Sequence, residues 1–311
     1  MKSSGNRLFQ LFSEYKFALL SGILLIVIQP PVSLWPLAFC ALVPLFRAID
    51  KDNLKRSFLQ GLVAGIVTWL GTIYWVVVAM NQYGGIIVPL SILILLLFVL
   101  YLSLYMGVFT LTCAFLEKRV SLPSYLSAPA IWVILEYARG IVMTGFPWSY
   151  LAHSQYGFLP LIQVTSVTGT FFISFLIVAV NAIIYSLWIR RKVSTVYASI
   201  ILVLFGLSFG YGFTRMSHKD TARLKTAIVQ GNIGQDIKWD ESFKAMTVSK
   251  YYRLSFGLAQ DTDLIIWPET AIPFLVDRDV AAYQYIRAVP RELKSRLLFG
   301  TIALERAGGL F

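Results

Sequence analysis

Charge is what this sequence has least of. Only 14% of its 311 residues are charged, against roughly 25% in soluble domains. With 57% hydrophobic residues and a mean hydropathy of +0.70, that scarcity excludes an ordinary soluble globule and marks an integral membrane protein. Cysteine is nearly absent too. Cys40 and Cys113 both lie inside apolar runs, which argues against a disulfide framework, a CxxC redox site or a thiol nucleophile in the polar part of the chain. The two histidines, His153 and His218, are far apart and show no ligand spacing, so no metal site is expected. The net charge of +11 forms no nucleic-acid stripe.

What is present falls into two halves. Up to about Gly212 the chain is a series of apolar runs broken by short charged clusters; after it the composition is mixed and polar. A membrane helix needs roughly 20 apolar residues. The candidate spans are Phe17–Ile28, Leu34–Phe46, Phe58–Met80, Ile86–Leu116, Leu122–Tyr137, Leu159–Ile189 and Val193–Phe213. The first two are short and meet at Gln29-Pro30-Pro31, so a helical hairpin that does not fully cross is an alternative. The fourth and sixth exceed the minimum, which implies tilt or an interfacial extension. The expected organisation is a membrane domain of about seven helices over 1–214 and an extracytoplasmic domain over 215–311.

Orientation follows from where the sparse charges fall. Thirteen lysines and arginines precede Gly212, and twelve of them lie in the N-terminus, the 47–56 loop, the 117–119 loop and the 190–192 loop. The opposite loops hold only Arg139. By the positive-inside rule the first set is cytoplasmic and the tail lies outside the cytoplasm, which is the periplasm in a Gram-negative cell. Basic residues precede the first apolar run without a small-residue cleavage site, so the N-terminus reads as a retained anchor.

Several features inside the runs carry two readings. Gly206-Leu207-Ser208-Phe209-Gly210 matches a nucleophile elbow, but that motif needs a strand before it; within an apolar run it reads as helix packing through small residues, as does Gly61-x-x-x-Gly65. Glu136 and Arg139 are three residues apart at the end of a span, either as an i,i+3 ion pair or with Arg139 facing a lipid phosphate. The aromatics of Thr144-Gly145-Phe146-Pro147-Trp148 are either interfacial anchors or substrate contacts.

In the tail, Lys225–Gln230 reads as a short strand, about Asp240 to Ala259 as a helix, Asp263–Trp267 as a strand buried on both faces, Val280–Ser295 as a helix and Arg296–Ile302 as a third strand. That order implies an α/β layer with crossover helices. The second strand runs into Trp267-Pro268-Glu269-Thr270, which delivers a carboxylate to the rim of a sheet. Alone, Glu269 reads as a solvated strand-end carboxylate.

Val229-Gln230-Gly231-Asn232-Ile233, Lys238-Trp239 and Trp267-Pro268-Glu269-Thr270 resemble the nitrilase, or carbon–nitrogen hydrolase, domain. With Thr144-Gly145-Phe146-Pro147-Trp148 and the preceding spans, essentially the whole chain resembles the membrane-anchored branch of that superfamily, the apolipoprotein N-acyltransferases. Gly234 stands where that branch usually has Pro. The resemblance implies a multi-span helical domain followed by an α-β-β-α nitrilase-like domain. It implies acyl transfer from a phospholipid to the N-terminal diacylglyceryl cysteine of an apolipoprotein through a thioester, in the bacterial inner membrane, by a monomer without metal or cofactor. It assigns Glu269 as general base and makes Trp239, Phe146, Trp148 and Arg139 candidate substrate contacts, with packing as the alternative for each aromatic. The family's Lys and Cys follow later strands. Lys294 precedes the third strand and does not match the triad lysine, so the chain reads as truncated and is expected to be inactive alone. A membrane-tethered amidase and a transporter are the competing readings; the near absence of ionisable residues in the spans argues against the latter.

Overall fold

The computed structural model describes residues 2–190, 193–217, 224–257, 261–276 and 279–302. His218 and the Arg191-Lys192 pair of the basic loop lie outside these, as do residues 258–260 at the expected end of a tail helix. The chain divides into two compact units, Met1–Lys219 and Asp220–Phe311.

The first unit is helical. Its elements are α1 (Lys2–Val27), a 3-10 turn Trp35–Phe39, α2 (Val43–Ala48), α3 (Leu54–Ile73), α4 (Val76–Gln82), α5 (Val88–Arg119), α6 (Ser124–Ile141), α7 (Leu159–Ile162), α8 (Thr165–Thr168), α9 (Phe171–Tyr185) and α10 (Thr195–Ser217). Among the described residues four helical stretches are long and apolar enough to cross a membrane: Val88–Arg119, Ser124–Thr144, Phe171–Trp188 and Thr195–Ser217. The pair α3 and α4 makes a fifth if its 46° bend is counted within one span.

Three expected spans are broken. The run 34–46 is a 3-10 turn followed by the short α2, because Asn181 of α9 reaches between them. Its side chain donates to Ala38 O and accepts from Leu42 N, each at 2.8 Å, and so satisfies backbone groups that a continuous helix would pair internally. The run 58–80 bends at Tyr74 and Trp75. The run 159–189 is interrupted where Gly169 takes φ +75° and ψ 173°, a backbone open essentially to glycine alone and incompatible with a continuing helix.

Helix packing follows the small residues in α3. A Cβ on Gly61 would lie 2.2 Å from Met106 O, and one on Gly65 2.8 Å from Ser103 Cα. These two glycines bring α3 onto α5, as the spacing predicts. The pair Gly206 and Gly210 does not behave this way: a Cβ on either meets nothing within 4 Å. The glycine of α10 that does pack is Gly212, whose Cβ would lie 1.8 Å from Pro160 O of α7. Ser208 is buried inside α10 and donates to Leu204 O, so it is no strand-to-helix elbow.

The second unit contains β1 (Thr226–Ile228), α11 (Gln235–Lys238), a 3-10 turn Glu241–Phe243, α12 (Lys244–Phe256), β2 (Leu264–Ile266), β3 (Ile272–Leu275), α13 (Val280–Leu293), β4 (Arg296–Leu298) and β5 (Thr301–Ile302). Strands β1, β2 and β4 form a parallel sheet in that order, and β3 pairs with β5, also parallel. The expected third strand Arg296–Ile302 is thus two strands in two sheets, and β3 was not foreseen.

The core joins Ile265 and Trp267 to Val248 and Tyr251 of α12 and to Ile286 and Val289 of α13. Only Ile265 of β2 is fully buried; Leu264 and Ile266 are half-buried, so β2 is covered on one face, not two. On the other face Ile228, Ile266 and Leu298 stand in register, and Ile228 is 76% exposed.

Candidate functional site

In the second unit, parallel pairing brings three loops to one edge. The loop after β1 carries Gly231 and Asn232, that after β2 carries Trp267 to Thr270, and that after β4 carries Phe299 and Gly300. All leave the carboxyl ends of parallel strands, where open α/β sheets hold their ligands.

Backbone bonds extend the sheet into these loops. Val229 N donates to Ile266 O and Trp267 N to Leu298 O, each at 2.9 Å. Trp267 turns inward. Its ring stacks on Tyr251 with centroids 5.1 Å apart, and its Nε1 donates to Ser255 Oγ at 2.9 Å. With the indole fixed, the next residues are thrown outward.

Pro268 O accepts from Ala271 N at 3.1 Å, Thr270 takes φ +51°, and Glu269 stands exposed at the turn. Gly300 backs this turn. A Cβ there would lie 2.5 Å from Thr270 N and 3.0 Å from Glu269 Cα, so the chain crosses behind the carboxylate where only glycine fits. The same close passage separates β4 from β5. Gly231 is similarly pressed against the Tyr251 ring, 2.6 Å from Cζ for an added Cβ.

The sequence motifs singled out Glu269 as a candidate and gave no notice of Gly300, Tyr251 and Ser255, which pack around its turn. A glycine interrupting a strand was the available signal for Gly300. The other two are ordinary helix residues with no pattern of their own.

Trp239 is 54% exposed at the end of α11. It lines a groove with Lys244, Phe274 and Leu275. Lys244 lies over the Phe274 ring at 4.9 Å and pairs with Glu241 at 2.9 Å. Asp240 accepts from Ser242 N and Oγ; the Ser242 hydroxyl, then its N–H, hold that carboxyl below its ordinary value. Among the described residues no cluster of three or more His, Cys, Asp or Glu side chains could hold a metal.

In the first unit, Glu136 and Arg139 are 5% and 4% exposed. They do not form the i,i+3 ion pair. Glu136 Oε1 accepts from Leu151 N at 2.6 Å. Arg139 Nη1 donates to Phe146 O at 2.9 Å and Trp148 O at 2.7 Å, and its guanidinium lies 4.8 Å from the Trp69 ring and 4.9 Å from that of Tyr150. A buried guanidinium committed to its own chain does not present itself to a surface phosphate. Phe146 turns inward against Phe98 and Trp69 at 4.9 and 6.1 Å. Trp148 turns outward, 52% exposed, with its ring 5.6 Å from that of Trp75.

An apolar multi-helix unit carrying a small parallel α/β unit defines a membrane protein with an appended α/β domain. Comparison with known proteins narrows this. The family model for the apolipoprotein N-acyltransferase N-terminal domain matches residues 21–183. The apolipoprotein N-acyltransferase of Geobacter metallireducens is 36% identical over 305 residues, 95% of this chain and 58% of the relative. That of Pasteurella multocida is 30% identical over 299 residues, 94% of this chain and 57% of the relative. That of Pseudomonas putida is 30% identical over 294 residues, 93% and 58% respectively. The chain belongs to the apolipoprotein N-acyltransferase family, an acyltransferase family of membrane enzymes. It spans about 58% of the length of these relatives.

Proposed function

We propose that this chain forms the membrane domain and the first part of the nitrilase-like domain of an enzyme that N-acylates lipoproteins. The acyl donor is a phospholipid and the acceptor is the free α-amine of an N-terminal diacylglyceryl cysteine. Seven membrane passages, counting α1 and the Trp35–Ala48 arm, put the N-terminus in the cytoplasm and the tail in the periplasm of an inner membrane. The lysine and arginine asymmetry supports this orientation.

The observation that carries the reading is Glu269, exposed at the carboxyl edge of three parallel strands in a turn backed by Gly300. In the proposed reaction Glu269 takes the proton of a thiol as it attacks the donor ester. The proton passes to the glycerol oxygen that leaves, and a thioester remains. The acceptor amine then attacks the thioester, Glu269 takes its proton, and that proton returns to the departing thiol. Backbone donors and a lysine stabilise each tetrahedral oxyanion. The thiol and this lysine come from outside the present sequence, since Cys40 and Cys113 sit in the membrane unit. The apolar row Ile228–Ile266–Leu298 fits the layered nitrilase fold, in which a further layer covers that face. Trp148 and Trp239, both exposed, are the proposed lipid contacts; Phe146 and Arg139 serve Trp148 through the loop they hold.

The test uses a protein of the relatives' length that begins with this chain. Glu269→Gln is expected to abolish thioester formation from phosphatidylethanolamine while membrane insertion is unchanged. A thioester yield equal to that of the unaltered protein rejects the base.

A further inference from the structure

The loop that follows α6 is forced into conformations that side chains resist. Met143, Thr144, Gly145 and Ser149 take φ of 53°, 69°, 80° and 49°. A Cβ on Gly145 would lie 2.0 Å from Gly140 O, so the loop is folded hard against the helix it leaves. Such backbone persists only where the surroundings over-determine it. Two buried side chains do so here. Arg139 holds the carbonyls on either side of Pro147, and Glu136, one turn earlier on the same helix, holds the N–H of Leu151. Phe146 is thereby driven into the Trp69–Phe98 cluster, and Trp148 is left outside beside Trp75. Trp75 sits at the bend between α3 and α4, and its own Nε1 donates to Thr72 O at 3.2 Å. The surface around the two indoles is apolar: Tyr74, Ile141, Val142 and Met143 are all exposed.

We propose that Arg139 is a positioning residue that fixes Trp148 beside Trp75, and that the paired indoles form a platform for one phospholipid molecule. The platform rests on the lipid reading given above. General anchoring in the bilayer interface needs aromatic rings but no fixed geometry between them. A strained loop fastened by a two-carbonyl guanidinium clamp and a carboxylate is more than anchoring requires, and it suits a single bound molecule. Arg139 is 4% exposed, both of its hydrogen bonds go to carbonyls of the loop and its guanidinium lies on the Trp69 and Tyr150 rings, so it acts through the loop.

The experiment is 19F NMR of the chain labelled with 5-fluorotryptophan in detergent, with Trp75→Phe and Trp148→Phe assigning the two signals. With Arg139 intact, Trp75→Phe is expected to move the Trp148 signal through loss of the neighbouring ring. Arg139→Gln is expected to shift and broaden the Trp148 signal while Trp239 and Trp267 keep theirs. An unchanged Trp148 signal in that variant overturns the positioning role. If Arg139→Gln also loses the Trp35 and Trp132 signals, Arg139→Lys decides. It keeps a cation but not the planar guanidinium that lies on the Trp69 and Tyr150 rings while its Nη1 reaches both carbonyls, and it must move Trp148 and the neighbouring Trp69 and Trp75 while Trp35 and Trp132 keep their signals.

Phosphatidylethanolamine added to the detergent sample is expected to move Trp75 and Trp148 together and saturably. Loss of a charge-assisted clamp predicts about a tenfold higher half-saturating concentration in the Arg139 variant that keeps its fold. Signals that move only on transfer into a bilayer indicate interfacial anchoring and overturn the platform. Neither result depends on Glu269, so failure here is separable from failure of the proposed base.

Discussion

Gly61 and Gly65 in α3 lie against the backbone of α5, whereas Gly206 and Gly210 in α10, at the same spacing, meet nothing within 4 Å. The pattern of two small residues four apart states that a close approach is allowed; the partner helix decides whether it happens. The contrast extends to the two units. The membrane unit is held by backbone-close helices and by buried polar side chains, such as Asn181, Glu136 and Arg139, that bond to backbone groups. The second unit is centred on rings, with Tyr251, Trp267 and Phe299 packed behind a short parallel sheet.

The sharpest way to break the first comparison is to overfill both glycine sites. Gly61→Leu drives a side chain into Met106 O and Thr110 Oγ1, both 2.2 Å from its Cβ. Overpacking of this kind costs about 1–3 kcal/mol or more, so a large loss of folded protein in detergent is expected from thermal-shift measurement. Gly206→Leu is expected to leave the midpoint unchanged. Equal losses at both sites would mean that α10 packs as closely as α3.

The second unit offers a smaller effect of the same kind. Gly300→Ala places a methyl 2.5 Å from Thr270 N and must displace the Glu269 turn, at a cost of about 1–3 kcal/mol. Faster protease cleavage between Trp267 and Leu275 is expected, with the membrane helices unaffected.

These sites also show what a sequence discloses. Hydropathy marks apolar runs but not their breaks. The run 159–189 is long enough for one span, and only its polar stretch Gln163 to Thr170 hints that Gly169 divides it. The bend at Trp75 has no marker. In the tail, Gly231, Asn232 and Glu269 stood out through their resemblance to the nitrilase motifs; taken alone, Glu269 read as a solvated strand-end carboxylate. Strands of two to four residues were not, because pairing partners far along the chain define them. The Glu136–Arg139 spacing invited an ion pair; the structure gives each residue a backbone partner instead, since loop 142–150 folds back over the helix end.

The smallest expected effect is one of pH. Burial holds the Tyr251 phenol above its ordinary value of 10.0, with the Gly231 backbone pulling the other way. The folded tail therefore keeps this proton longer than the unfolded chain does. Its contribution to stability is fully present below about pH 10 and is lost as pH rises through the folded value. Protease resistance of the tail should decline over that range, and Tyr251→Phe should remove the part of the decline that belongs to this residue.

The central claim is that the membrane unit carries the α/β unit to the extracytoplasmic face, where both proposed lipid substrates reside. Reporter fusions after Lys225 test it most directly. Alkaline phosphatase fused there is predicted to be active and a cytoplasm-dependent reporter silent. An active cytoplasmic reporter with silent phosphatase would contradict the orientation, and with it the proposed chemistry on lipoprotein substrates.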